Sequence, residues 1–81
     1  MKARVTIVLK NGVHDPQGEA VEGTLKHLGF SEVQGVRVGK YVELNLDSLS
    51  KEKAKVQVEA MCKKLLANPV IESYSFEVSE T

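Results

Sequence analysis

The sequence predicts an α+β fold, a two-layer sandwich in which two helices lie on one face of a four-stranded antiparallel sheet. Two observations carry that prediction. Runs in which apolar and polar residues alternate occur at both ends and in the middle of the chain, and between them lie two stretches in which apolar residues recur every three or four positions. No linker, repeat or low-complexity segment interrupts the 81 residues, so residues 1–81 read as a single domain.

The first run, KARVTIVLK at Lys2 to Lys10, sets Ala3, Val5, Ile7 and Leu9 on one side and is rich in β-branched residues, which suits a strand with one buried face. Val8 is the apolar exception on the other side. Asp15 before Pro16 marks a helix start, because the carboxylate accepts otherwise unpaired amide hydrogens and proline is preset for the first helical position. The helix is expected to run to about Leu28, with Val21, Leu25 and Leu28 on its apolar stripe, a Glu22–Lys26 pair one turn apart, and Gly29 as the left-handed stop over which Phe30 folds back. In EVQGVRVGKYVELNLD, two strand-like runs flank Gly39-Lys40, and glycine at the first central position fits a two-residue hairpin turn. The second arm alternates Val42, Leu44 and Leu46 with polar residues. Ser48 or Ser50 then caps a second helix, about Lys51 to Ala67, whose stripe is Ala54, Val58, Met61, Cys62 and Leu65 and whose end is the left-handed-tolerant Asn68 before Pro69. Lysines 51, 53 and 55 oppose the dipole of that helix at its start. The alternation of Tyr74, Phe76 and Val78 makes VIESYSFEV a last strand with core-facing aromatics.

The resulting order, β-α-β-β-α-β, is the signature of a ferredoxin-like sandwich. Both helices are expected to cover one sheet face. The other face is left with Arg4, Thr6, Val8, Lys10, Tyr41, Glu43 and Asn45, and so small a chain gains burial by dimerising through that face or through an edge strand.

Composition narrows the function. The chain carries 11 basic and 11 acidic residues, a formal net charge of 0, so no field draws it to nucleic acid or to an anionic membrane. No apolar run approaches the ~20 residues of a membrane-spanning helix and no signal-peptide core is present, which predicts a soluble, cytoplasmic protein. The single cysteine, Cys62, lies in an apolar helical stripe and reads as a reduced core thiol. His14-Asp15 is the one adjacent pair suited to acid–base work, yet no nucleophile accompanies it, and Asp15 already has a mechanical duty as a cap. His27 suits the C-terminal end of its helix, the two histidines lack metal-ligand spacing, and no phosphate-binding glycine fingerprint occurs. The residues themselves therefore favour a binding or assembly role.

Three stretches carry a resemblance: LKNGVHDPQGEAV (Leu9 to Val21), LGFSEVQGVRVGKYVEL (Leu28 to Leu44) and MCKKLLANPVIESYSFEV (Met61 to Val78). Together they resemble the PurS family, the small subunit of phosphoribosylformylglycinamidine synthase, over nearly the whole chain. His14 departs from the leucine common at that position. The resemblance implies a non-catalytic homodimer, with pairing into tetramers left open. It also implies a chain that bridges the PurL synthetase and the PurQ glutaminase, and it raises a part in organising ammonia transfer. ATP and Mg would serve the synthetase, and this subunit would hold no cofactor or metal of its own. Candidate subunit-contact residues are Gly12, Val13, Asp15, Gln17, Gly18, Arg37, Gly39 and Lys40, against the plainer reading of turn glycines, a helix start and a solvated hairpin lysine. Gln17 and Arg37 have no evident local duty. Two other classes share the topology: an ACT-like regulatory domain, for which DPQG would be an effector loop, and an acylphosphatase-like enzyme, which needs an arginine cradle after the first strand that this loop lacks.

Overall fold

The computed structural model describes residues 1–47 and 50–80. Its elements are β1 (Lys2–Leu9), α1 (Pro16–His27), β2 (Lys40–Asn45), α2 (Lys51–Met61), a π-helical turn (Cys62–Leu66) and β3 (Glu72–Ser79). Among the described residues the sheet has three strands, in the order β2-β1-β3, with β1 antiparallel to both neighbours. The register sets Val5 between Val42 and Phe76, and Ala3 between Leu44 and Val78, so each row crosses the inner face with apolar side chains. Onto that face α2 lowers Ala54 and Val58, with Cys62 one turn on, and these residues together with Ala3, Val5, Ile7, Ala67 and Val78 form the buried core. Full burial of a side chain such as Val58 contributes about 1.5–3 kcal/mol. Tyr74 and Phe76 pack half-buried against this cluster, as their alternation predicts.

The fourth strand and the hairpin are not formed. A turn with glycine at its first central position needs a positive φ there. The positive-φ glycines are Gly12, Gly29 and Gly35, and Gly39 is not among them. The chain instead passes through Gly39 into β2, which begins at Lys40. The expected strand over Glu32–Val38 keeps its place in the chain order, between α1 and β2, as irregular chain outside the ladder, with Gly35 at φ 128°. Close approach explains the glycine: a Cβ on Gly39 would run into the Ile7 carbonyl oxygen.

The helix layer also differs from expectation. Substantial packing joins β1 to β2, β1 to β3 and α2 to β3, and α1 is not part of it. α1 buries only Gly18, and Val21, Leu28 and Phe30 are 41%, 66% and 55% exposed. The helix itself is built as the sequence implies. It ends in a Schellman motif, in which Gly29 N–H donates to Lys26 C=O and Phe30 N–H to Leu25 C=O, with Gly29 at φ 107°. Phe30 closes the helix end through its backbone and leaves its ring in solvent. The molecule is accordingly elongated, 49 × 27 × 14 Å, with a radius of gyration of 16.0 Å. A compact chain of this length has about 12 Å.

Ser50 caps α2, its hydroxyl accepting from Lys53 N–H at 3.3 Å, whereas Ser48 lies outside the described residues. At the far end the expected stripe slips. Ala67 N–H bonds five residues back to Cys62 C=O, a π turn that rotates the following side chains by about one position. Leu65 is therefore 82% exposed, and Leu66 and Ala67 turn inward in its place. The helical stretch leaves in an extended conformation at Ala67 (φ −125°, ψ 148°), and Asn68 acts through its side chain, accepting Val70 N–H at 3.0 Å. Cys62 is a free, fully buried thiol, and desolvation pushes its pKa up.

The outer sheet face bonds mainly within itself. Lys2 pairs with Glu43 at 3.3 Å, Tyr41 donates to Glu43 at 2.9 Å, and Arg4 donates to Ser79 at 3.1 Å.

Candidate subunit-contact site

Seven of the eight residues singled out in the sequence meet or flank one junction, where the loop after β1 touches the segment before β2. Asp15 is its centre. One carboxylate oxygen accepts Gly18 N–H at 2.9 Å, the N-cap bond expected from the sequence, and the other accepts Val38 N–H at 3.0 Å. The second bond links two segments 23 residues apart. Hydrogen bonds from Gly18 and then Val38 hold the Asp15 carboxyl below the ordinary carboxylate range, since they favour its charged form.

The glycines serve this junction in different ways. Gly12 sits at φ 86°, a turn position that glycine occupies without strain. Gly18 has a packing role: a Cβ there would run into the Val36 carbonyl oxygen, so α1 begins pressed against residues 36–38. Val13 N–H closes the turn onto Lys10 C=O at 3.1 Å, and Lys10 is itself held to the segment before β3 by Lys10 N–H to Ile71 C=O at 2.8 Å. Arg37 reaches across the junction to Asn11 Oδ1 at 3.2 Å. Lys40 lies at the start of β2, 3.6 Å from Glu72 on β3, so its ammonium spans the end of β1. Gln17 stands apart from this network, exposed on the first turn of α1. His14 also points outward, 3.3 Å from an equally exposed Glu19.

The junction does not gather an acid, a base and a nucleophile, and among the described residues no group of three or more His, Cys, Asp or Glu side chains could hold a metal. What it does chemically is fix direction: Asp15 and Gly18 set the angle at which α1 leaves the sheet. Asn11, Val36 and Val38 belong to this arrangement and were not singled out from the sequence. Asn11 carried a signal, since it opens the loop beside Gly12. The Val36 carbonyl and the Val38 amide are backbone groups that no residue pattern marks.

Across β1 from Lys40, in the row that runs through Ile7, Tyr74 donates its hydroxyl to Glu59, which pushes the Tyr74 pKa up to about 12 and ties β3 to α2. No described helix is long and apolar enough to cross a membrane.

Comparison with known proteins is consistent over the full chain. Residues 2–80 match the family model described as PurS: Phosphoribosylformylglycinamidine (FGAM) synthase. The PurS subunit of phosphoribosylformylglycinamidine synthase from Bacillus subtilis is 48% identical over 98% of this chain and 93% of its own, and that from Methanocaldococcus jannaschii is 44% identical over 98% and 95%. Among solved structures, B. subtilis PurS superposes with a TM-score of 0.86 at 49% identity, covering 98% of both chains. A chain of the PurLQS structure from Thermotoga maritima superposes at 0.85 with 34% identity, covering 94% of this chain and 93% of that one.

Proposed function

The chain belongs to the PurS family, the small subunit of phosphoribosylformylglycinamidine synthase, and from that premise we propose that it works as a non-catalytic assembly subunit. It bridges a PurL synthetase and a PurQ glutaminase so that ammonia released from glutamine reaches the site where formylglycinamide ribonucleotide becomes its amidine. The observation that carries this reading is the likeness, over 94% of the chain, to a protomer of the T. maritima PurLQS structure. ATP and Mg belong to the synthetase in this scheme, the subunit works in the cytoplasm as one unit over residues 1–81, and it acts as a homodimer.

The junction around Asp15 supports the proposal physically. Interfaces favour elements held rigidly before contact, because ordering a loop on binding costs affinity. Here the loop after β1 is fixed by Asp15, Gly18 and the Arg37–Asn11 bond, while Gln17 and the outer side of Arg37 remain in solvent. Gly12, Val13, Asp15, Gly18 and Gly39 act as supports, and Gln17, Arg37 and Lys40 as contacts.

The test is sedimentation of the protein mixed with its cognate synthetase and glutaminase in glutamine, ATP and Mg. A species containing all three chains is expected, weakened by Gln17→Ala and Arg37→Ala. Absence of such a species, with all three proteins folded, overturns the assembly reading. Its undiminished formation by both variants overturns the assigned contacts.

A further inference from the structure

Among the described residues, the two most exposed large apolar side chains are Leu65 at 82% and Val70 at 78%. Both lie where the π-helical turn leads into β3, and Ile71 beside Val70 is 39% exposed. Surface turns are ordinarily built from Gly, Pro, Asn, Asp and Ser. Here Asn68 and Pro69 turn the chain, and the side chains displayed beyond them are apolar.

That turn is fixed before any contact is made. Asn68 Oδ1 accepts Val70 N–H at 3.0 Å, and Asn68 C=O accepts Ile71 N–H at 3.2 Å and Glu72 N–H at 2.7 Å. Glu72 Oε1 in turn accepts Asn68 N–H at 2.7 Å. From the end of β1, Lys10 Nζ donates to Pro69 C=O at 2.7 Å. A turn held in this way loses little freedom on binding, so the burial of Val70 is available to a partner nearly in full.

Charge says what that partner presents. Between Glu59 and Glu72 the chain carries Lys63 and Lys64, both exposed, and no acid. The Lys10 ammonium on the Pro69 carbonyl is a third positive charge. None of the three is in an ion pair among the described residues. Glu72, the acid that ends the stretch, is already engaged by Asn68 N–H and by Lys40 at 3.6 Å. A chain of net charge 0 therefore carries a local positive surplus around an apolar turn.

Resting on the assembly reading above, we infer that residues 63–71 form a docking surface for one of the larger subunits, beside the junction around Asp15. Val70 enters an apolar pocket of that subunit, and carboxylates at the edge of the pocket face Lys10, Lys63 and Lys64. A protein pocket is the fitting occupant because a rigid turn matches one fixed shape. A fluid membrane gains nothing from that rigidity, and three lysines add only ~1 kcal/mol each at an anionic surface. A second copy seated here about a two-fold axis would set the same lysines against each other, which like charge opposes.

The test uses the full-length protein, alone and mixed with its cognate synthetase and glutaminase in glutamine, ATP and Mg, followed by sedimentation. Val70→Asp is expected to weaken the three-chain species by about tenfold or more, the loss of an apolar anchor. Lys63→Glu with Lys64→Glu is expected to weaken it too, and added salt should weaken the wild type more than this double variant. The mass of the protein alone and its thermal midpoint should be unchanged in both variants, since all three side chains are in solvent. Undiminished three-chain assembly by both variants overturns the docking surface and leaves the assembly reading standing. Failure of the wild type to form the species, with all three proteins folded, overturns both. A changed mass of either folded variant alone makes the face a contact between copies and overturns the proposal. So does retention on vesicles of equal parts phosphatidylcholine and phosphatidylglycerol that the double variant abolishes.

Discussion

The two halves of this molecule handle the same kind of sequence differently. Around β1, apolar alternation and an apolar helical stripe close on each other, and Ala3, Val5, Ala54, Val58 and Cys62 are completely buried. Around α1, a stripe of equal quality stays open, and Leu28 and Phe30 lie mostly in solvent. Hydrophobic patterning specifies which face seeks burial, and it does not specify which molecule provides it. On the proposed function, the closed half supplies the stable fold and the open half the surface left for assembly.

The largest effect that separates the halves is in the core. Ile7→Ala should lower unfolding free energy by about 2–5 kcal/mol at every protein concentration, as read from urea denaturation. Leu28, 66% exposed in the protomer, should lose little within one chain on Leu28→Ala, and under the proposed homodimer any loss should appear in the concentration dependence of the midpoint. Equal, concentration-independent losses at the two sites would erase the contrast.

Next in size are the glycines that hold the open half in place. Gly18→Ala and Gly39→Ala each force a methyl into a backbone carbonyl, Val36 for the first and Ile7 for the second. Each should cost about 1–3 kcal/mol, as overpacked sites do, whereas Gly23→Ala, with open space around it, should be neutral or slightly stabilising because alanine favours a helix.

Smaller still is the acid response of the junction. The folded pKa of Asp15 lies below its unfolded value of 3.8. The group therefore stabilises the fold above pH about 4, and that contribution is lost as pH falls through the folded pKa. Asp15→Asn should reduce stability near neutrality and flatten the acid limb below pH about 4 in thermal melts. An unchanged limb would remove Asp15 as the fastening of α1.

The smallest effect lies at high pH. The Tyr74 hydroxyl, with its pKa raised to about 12 from 10.0, keeps its proton longer in the folded state. Its contribution is fully present below pH about 10 and fades between there and about 12. Tyr74→Phe should blunt that alkaline loss, followed by ultraviolet titration beside thermal melts.

The sequence was most legible where chemistry is local. Asp15 with Pro16, Gly29 with Phe30, and Ser50 before Lys51 each mark a helix boundary by bonds to neighbours three to five residues away, and the structure contains those bonds. The inward rows of β1, β2 and β3 followed from alternation. Legibility failed where one residue type serves two purposes. Gly39 suits a tight turn and a strand passing close to another backbone, and only tertiary contact with Ile7 distinguishes them. The π turn at Cys62–Leu66 depends on how α2 seats on β3, and it moved Leu65 outward against its helical spacing. At the candidate site, the cap and the glycines were legible, and the bond from Val38 to Asp15 was not, because its donor is a main-chain amide.

The most direct test of the assembly role is the rate of glutamine-dependent amidine formation by the cognate synthetase and glutaminase, supplied with ATP, Mg and formylglycinamide ribonucleotide, with and without this protein. The account predicts that the reaction depends on its addition and that Gln17→Ala with Arg37→Ala depresses the rate while ammonia-driven amidine formation persists. A glutamine-dependent rate that is the same without it, from partners shown to be competent, would contradict the assembly role.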